Sequence, residues 1–383
     1  MSDRAAQAPV AVLPAERAVA RVDVGAVAHN CALLKERLGA VALCAVVKAG
    51  GYGHGALPCA NAALAGGATW LAVATAREAA DLREGGIGGR ILAMGALTRE
   101  ELATALSAGA DVVAWTGEFL SLAAATAAET GRAARIHVKL DTGMGRLGTQ
   151  SSELALALLE EAEGHEALEA VGLMTHLATA DDPDRSYLRE QLVRFAEVAD
   201  AARRTLPAIV VHAANSAAVL AEPASHFDMA RCGVAIYGLD PFQRDPREHG
   251  LEPAMTLESY VAAVKAFAAG ESAGYGRTWR ASGRTFVGTL PIGYGDGYRR
   301  GLSNAADVLI RGRRYPLAGT VSMDNVTVEL GPDSDVQVGE RATLIGSQGG
   351  ERVLAEDLAR TLGTINYEIT CGITGRVPRR YEE

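Results

Sequence analysis

The sequence predicts an α/β chain in which an N-terminal (β/α)8 barrel of the TIM type is followed by a C-terminal, mostly β domain. Two observations carry this. Eight short apolar runs without strict alternation are separated by Ala/Leu/Glu/Arg segments of helical period, as expected of parallel strands buried on both faces. Eight such βα units over about 240 residues is the arithmetic of a closed barrel. Past residue 240 the texture changes to short strands separated by Gly, Pro and Asp. A doubly wound open sheet is the competing arrangement, since the runs alone do not say whether the sheet closes.

The eight runs are VALCAVVKA (41–49), WLAVAT (70–75), RILAMGA (90–96), DVVAWT (111–116), RIHVKLDT (135–142), AVGLMTH (170–176), IVVHAANS (209–216) and MARCGVAIYG (229–238). The segment PFQRDPREHGLEP, with three prolines and mixed charge, suits a linker or long loop. This divides the chain into a barrel domain over 1–245, with about 1–14 a poorly ordered tail, and a β-rich domain over 246–383. In the second domain TFVGTLPIG, ADVLIRGRRYPLAG, NVTVELG and ERATLIG read as strands, and LAEDLARTLG as a helix.

Composition narrows the function. Among 383 residues, 37 Lys+Arg against 46 Asp+Glu leave a formal charge of −9, which offers no footprint for nucleic-acid phosphates or an anionic membrane. No apolar run reaches the length of a membrane span, and the N-terminal segment, broken by Pro and charge, reads as no targeting peptide. The five cysteines contain no C-x-x-C pair, which argues against structural zinc and for reduced thiols packing as small hydrophobes. These features point to a cytoplasmic chain.

Barrel enzymes work at the carboxyl ends of their strands. There the sequence places Lys48, Lys139, Asp141, Arg146, His176, Asn215-Ser216 and Arg231-Cys232-Gly233. Lys, Arg, His and Ser/Asn from five strand ends indicate an anionic small molecule. No Walker loop, dinucleotide fingerprint, nucleophile elbow or metal-ligand spacing is present. A lysine at a strand end beside glycines is suited to a Schiff base, the linkage that holds pyridoxal 5′-phosphate (PLP).

VVKAGGYGHG, VKLDTGMGRLG, MTHLATAD, HAANSAA, ARCGVAIYGL, GYGRTW, GYGDGYRR, VSMDN and INYE are similar, in order, to the motifs of the alanine racemases. The likeness runs from about residue 15 to the C-terminus. It implies a PLP-dependent isomerase interconverting L- and D-alanine, supplying D-alanine as a cell-wall precursor. Lys48 would carry the cofactor and act as one base, and Tyr275 would be the other. Arg231 would hydrogen-bond the pyridine nitrogen, and His176 would lie against the ring. Tyr52, Ser216, Tyr367 and the backbone N–H groups of Gly233 and Val234 would hold the phosphate. Arg146 would meet the cofactor's phenolic oxygen and, with the Met323 backbone, the substrate carboxylate, and Tyr294 would narrow the entrance. The resemblance also implies a homodimer with sites shared between chains, and in some members carbamylation of the residue matching Lys139. A racemase of serine or a larger amino acid, a non-catalytic PLP carrier and a PLP lyase are the alternatives.

The chemistry agrees with this set. Enantiomers have equal free energy, so a racemase removes a proton from one face of a planar carbanion and returns one to the other. Two bases on opposite sides are needed, and lysine and tyrosine, both with reference pKa values of about 10, require shifting toward neutrality. An arginine at the pyridine nitrogen donates a hydrogen bond without giving up its proton.

Other readings attach to single residues. Arg231 could pair with Asp228, Lys139 with Asp141, Tyr275 could be packing, and His54 could be a helix cap or loop scaffolding. The sequence departs from the family pattern at Gly50-Gly51, where Asn-Ala is usual, at Cys232 in place of proline, and at Thr320 in place of arginine. The two glycines read as loosening the backbone beside Lys48.

Overall fold

In the computed structural model the described residues are 13–383, so most of the expected N-terminal tail lies outside them. They group into two units, one over 23–254 and the other over 13–22 with 255–382.

The strand Ala18–Asp23 (β1) precedes eight strands of the first unit. These are β2 (Ala42–Val46), β3 (Trp70–Val73), β4 (Arg90–Ala93), β5 (Asp111–Ala114), β6 (Ala134–Lys139), β7 (Leu168–Met174), β8 (Val210–His212) and β9 (Met229–Cys232). All pair in parallel, in the order β8-β7-β6-β5-β4-β3-β2-β9. Each of the eight apolar runs is one of these strands. The order contains no reversal, which a doubly wound sheet requires. Between β8 and β9, Asp228 N donates to Val211 O and Arg231 N to Ala214 O, each at 2.9 Å, and close the ring.

The intervening helices form where the sequence supplies both an apolar stripe and a cap. Thr75 caps the helix Ala76–Glu84 and Thr98 the helix Arg99–Ser107, each in a reciprocal box with Glu78 or Glu101. Thr116 and Ser151 cap the next two, Gly117–Thr130 and Ser152–Gly164. Leu82, Leu102, Leu120, Leu158 and Phe195 turn these helices inward and are all but fully buried. Each such side chain contributes about 1.5–3 kcal/mol relative to exposure.

The second unit is antiparallel. It contains β10 (Met255–Tyr260), β11 (Ala263–Phe267), β12 (Ser272–Ala273), β13 (Trp279–Arg280), β14 (Thr285–Leu290), β15 (Asp307–Ile310), β16 (Arg313–Pro316), β17 (Val326–Gly331), β18 (Arg341–Gln348), β19 (Glu351–Val353) and β20 (Arg379–Glu382). Its main sheet runs β16-β15-β18-β10-β1-β20. The sequence division at 245/246 leaves β1 with the barrel, whereas in the structure β1 is paired with β10, from Ala18↔Ser259 to Val22↔Met255. The reason is burial: Ala18, Val19, Ala20 and Val22 are covered, and an apolar strand needs a ladder partner on each side. At one end of this unit the buried carboxylate of Asp296 accepts hydrogen bonds from Arg17 and from the Gly293 N–H.

Barrel strands pack closely where β7 passes β6. A Cβ on Gly172 would fall 2.1 Å from His137 Nδ1, and the imidazole is wedged on both sides by neighbouring rings. Gly172→Ala is therefore expected to cost about 1–3 kcal/mol by overpacking. A lowered thermal unfolding midpoint would show it, and an unchanged one would mean the core yields there.

Candidate active site

Because the barrel strands are parallel and the ring is closed, their carboxyl ends share one mouth. Lys48 follows β2, Lys139 ends β6, His176 lies two residues past β7, Ser216 follows β8, and Arg231 and Gly233 stand at the end of β9. Lys48 opens a short turn whose residues Ala49, Gly50, Gly51, Tyr52 and Gly53 all have positive φ, from 52° to 85°. Left-handed backbone costs an L-residue about 1–2 kcal/mol, and glycine nothing. Gly50 and Gly51, at φ 62° and 65°, are thus the residues this turn strains least. The sequence reads them as a loosening; the structure makes them a relief of strain.

The turn is also tied down. Gly51 N donates to Val47 O (2.9 Å), Gly53 N to Ala49 O (3.1 Å) and His54 N to Gly51 O (2.9 Å). Glu78 accepts from the Ala49 N–H at 2.6 Å. His54, fully buried, presents Nδ1 at 3.1 Å from Gly51 O and 3.0 Å from Tyr52 O, and stacks on Tyr237. Its role is scaffolding of the turn, one of the two readings open from sequence.

Tyr52, Ser216 and Gly233 converge. The Ser216 hydroxyl accepts from the N–H of Gly233 (3.0 Å) and of Ala235 (3.3 Å). A Cβ on Gly233 would lie 2.3 Å from the Tyr52 phenol oxygen, so glycine is what lets the phenol reach this backbone. Val234 opens the 3-10 turn that follows. A hydroxyl, a phenol and the start of a helical turn form an anion cradle.

Arg231 is buried, and every partner it has is uncharged. Its NH1 donates to His212 Nδ1 (2.9 Å) and His212 O (3.1 Å). Its NH2 donates to Thr175 O (2.7 Å) and Ala213 O (3.1 Å) and lies 3.4 Å from His176 Nδ1. Asp228, the alternative partner, is bound to Arg203 at 2.8 Å and to the Val211 N–H. Burial pulls the Arg231 guanidinium down to about 10, still protonated at neutral pH.

Four cations act on one another here. Burial, then the charges of Arg231 and Arg146, pull the Lys139 amine down to about 8, with Asp141 opposing. Burial and the charges of Arg231, Lys139, Arg146 and Lys48 hold His176 well below the usual imidazole range. Asp141 is not simply a counter-ion for Lys139. Its carboxylate accepts from the N–H groups of Gly143 (3.0 Å), Met144 (2.8 Å) and Gly145 (3.1 Å), shaping the loop that carries the exposed Arg146. Such crowding of positive charge is costly unless an anion enters.

The remaining candidates belong to the second unit. Tyr275 sits between Gly274 and Gly276, at φ 73° and 71°. Thr320 donates its hydroxyl to Tyr275 O at 2.8 Å, a bracing role for this departure from the family pattern. Tyr294 N donates to Ser322 O (3.0 Å), beside Met323. Tyr275, Tyr294 and Met323 are 73%, 40% and 52% exposed, unusual for such side chains. Tyr367 lies in the helix Asn366–Cys371.

Sequence reasoning missed His137, His212 and Asp111, which lie inside apolar strands and are fully buried. A polar residue within such a run was the available signal, but its partner was not readable. None of the five cysteines is in a disulfide; Cys31, Cys44, Cys59 and Cys232 are buried, while Cys371 is exposed and so does not pack as a small hydrophobe. Among the described residues no His/Cys/Asp/Glu cluster could hold a metal ion.

A closed barrel with cations and a cradle at one mouth defines an enzyme built for a small anion. The comparisons name the family. The alanine racemase N-terminal domain family matches residues 22–241, and the C-terminal domain family residues 254–381. The alanine racemase of Symbiobacterium thermophilum is 45% identical, covering 94% of this chain and 96% of its own. That of Frankia casuarinae is 42% identical, covering 95% and 96%. The crystal structure of alanine racemase from D-cycloserine-producing Streptomyces lavendulae superposes with a TM-score of 0.91 at 38% identity, over 97% of this chain and 98% of that one. The chain belongs to the alanine racemase family and is, with it, an isomerase.

Replacing the turn glycines separates conformational strain from collision. Gly50 has open space for a Cβ, whereas at Gly51 it would meet Ala56 N at 3.2 Å and Ala56 Cα at 3.3 Å. Gly50→Ala should lose about 1 kcal/mol in urea unfolding, and Gly51→Ala clearly more. Equal losses would show that the collision is relieved by a shift of the backbone.

Proposed function

We propose that this chain interconverts L- and D-alanine with bound PLP, using Lys48 and Tyr275 as opposed proton carriers. The observation that carries the reading is the barrel mouth, where Lys48, Lys139, Arg146 and Arg231 crowd a neutral His176 beside the Tyr52–Ser216–Gly233 cradle. This donor set fits PLP: a lysine for its aldehyde, hydroxyl and backbone donors for its phosphate, and a protonated guanidinium for its ring nitrogen. When bound, PLP would supply the conjugated system that takes up the electron pair left as the substrate Cα proton departs.

The residues then divide the work. Tyr52, Ser216, the N–H groups of Gly233 and Val234, and Tyr367 would hold the phosphate. Arg231 would donate to the ring nitrogen, and because its partners are carbonyls and imidazoles it would do so without a competing carboxylate. His176, held neutral, would pack against the ring. Arg146 and the Met323 backbone bind the substrate carboxylate, and Tyr294 narrows the entrance. The Lys48 amine and the Tyr275 phenol stand on opposite faces: one takes the Cα proton from its side and the other gives a proton to the opposite side. With equal energies for the enantiomers, both must act as acid and as base.

Tyr275, Tyr294 and Met323 are contributed to each site by a second copy of the chain, which accounts for their exposure. Sedimentation of a fully active monomer would contradict this. A cytoplasmic setting fits cysteines outside any disulfide, and no helix among the described residues is long and apolar enough to cross a membrane. D-alanine made there would serve cell-wall precursor supply.

Circular dichroism of L-alanine with purified protein and PLP tests the activity. Decay to zero with alanine still present supports racemisation. A persistent signal, for L-serine and L-lysine also, would leave a carrier. Tyr275→Phe should slow inversion by about 10²–10⁴-fold, the usual worth of a positioned acid–base group. Unchanged inversion would remove the two-base scheme.

Lys139, with its amine at about 8, holds enough free base at neutral pH to take up CO2 as a carbamate, releasing a proton. The carbamate would brace Arg146. A carbamate resonance with ¹³C-bicarbonate that disappears in Lys139→Ala is expected; its absence in the wild type leaves the amine unmodified.

A further inference from the structure

The barrel interior carries a chain of four buried polar side chains from four strands: Asp111 on β5, His137 on β6, His212 on β8 and Arg231 on β9. Arg231 NH1 is 2.9 Å from His212 Nδ1, His212 Nε2 is 2.9 Å from His137 Nδ1, and His137 Nε2 is 3.3 Å from Asp111 Oδ2. Asp111 Oδ1 accepts from Arg135 Nε at 2.5 Å, and Arg90 NH2 stands 3.4 Å from Oδ2.

One arrangement of protons satisfies every contact in this chain, and it takes both ends to fix it, because Arg231 NH1 also has the His212 carbonyl as an acceptor. A guanidinium only donates, so His212 Nδ1 accepts and its proton is on Nε2. That N–H requires His137 Nδ1 to accept, which leaves the His137 proton on Nε2, facing the carboxylate. A doubly protonated His137 would donate from Nδ1 and force His212 Nε2 to accept. The His212 proton would then sit on Nδ1, directed at an Arg231 N–H 2.9 Å away. Two donors so placed repel, and neither can reach water. Burial and the Arg231 charge hold His212 well below its usual range, in keeping with a neutral ring. For Asp111, burial works upward, but the His137 hydrogen bond, the charge His137 would carry if doubly protonated, and the charges of Arg135 and Arg90 outweigh it, and the carboxyl stays below its usual range.

We propose that His137 and Asp111 are positioning residues for Arg231, acting through His212: the carboxylate fixes the His137 tautomer, His137 fixes that of His212, and His212 thereby offers Arg231 an acceptor. The arrangement gives a buried arginine a directed anchor while keeping the carboxylate of this chain two imidazole rings away. The Asp111 end is held by two arginines, and His137 packs edge-to-face with both Trp70 and His212. The missing Cβ of Gly172 is the space in which the His137 ring sits. Only the consequence for a bound cofactor rests on the reading of Arg231 given above.

Long-range ¹H–¹⁵N correlation on the histidine-labelled holoenzyme, with the two resonances assigned through His137→Gln and His212→Gln, reads the chain directly. Both rings should be neutral and protonated at Nε2. An Nδ1–H tautomer or a doubly protonated ring at either position overturns the proposal. In His137→Phe, His212 should become a mixture of tautomers, and the pH titration of the bound cofactor's visible absorption should shift, with PLP affinity down at least about tenfold. A single His212 tautomer with an unmoved titration would overturn it. Should that variant fail to fold, Asp111→Asn takes the same readouts, since an amide cannot accept from both Arg135 and His137. The tautomers are measurable in protein without PLP, so failure to bind the cofactor would sink the functional reading and leave this one standing or falling by itself.

Discussion

The guanidinium of Arg231 is the group around which the barrel mouth is organised. It is buried at the end of β9, and a buried charge is tolerated only where hydrogen bonds replace its water. Here the replacement comes from the ends of two strands: His212 from β8, the Ala213 carbonyl just beyond it, and the Thr175 carbonyl beyond β7. Those carbonyls are available because the strands end at the mouth and their ladder stops. The closure of the ring between β8 and β9, through the Arg231 N–H itself, brings these acceptors within reach. Fold and site thus depend on the same few bonds.

Charge at the mouth follows from that constraint. With no carboxylate beside Arg231, its field reaches Lys139 and His176 with little opposition, and lowers the affinity of both for protons. A neutral imidazole and a partly neutral amine are the outcome, set by position and not by either side chain alone. Asp141, the acidic residue nearest to this group in sequence, is bound to three backbone N–H groups and serves mainly to shape a loop. The mouth therefore keeps an excess of positive charge for an anionic guest in a chain that is acidic overall.

The backbone contributes at three places where side chains could not. At Ala49–Gly53 a left-handed turn follows Lys48, and the glycines at 50 and 51 lower its strain. At Gly233 the missing Cβ admits the Tyr52 phenol. Around Tyr275 the flanking Gly274 and Gly276 again take positive φ, with Thr320 bracing the carbonyl. The same device, glycine beside a functional side chain, recurs because chain direction must change abruptly where a strand or hairpin ends.

Much of this was legible in the sequence. All eight barrel strands were visible as apolar runs, since a parallel strand buried on both faces leaves an unbroken apolar signature. Lys48, Lys139, His176, Ser216 and Arg231 were visible as polar residues at the ends of those runs, and the ordered motifs identified the family. What the sequence could not hold is pairing across the barrel. That β1 joins β10, that Asp228 goes to Arg203 and leaves Arg231 to His212, and that Asp111, His137 and His212 form one chain all depend on which strands become neighbours when the ring closes. Periodicity records which face of an element is covered; only the closed structure decides what covers it, because the partners lie 20 to 240 residues apart.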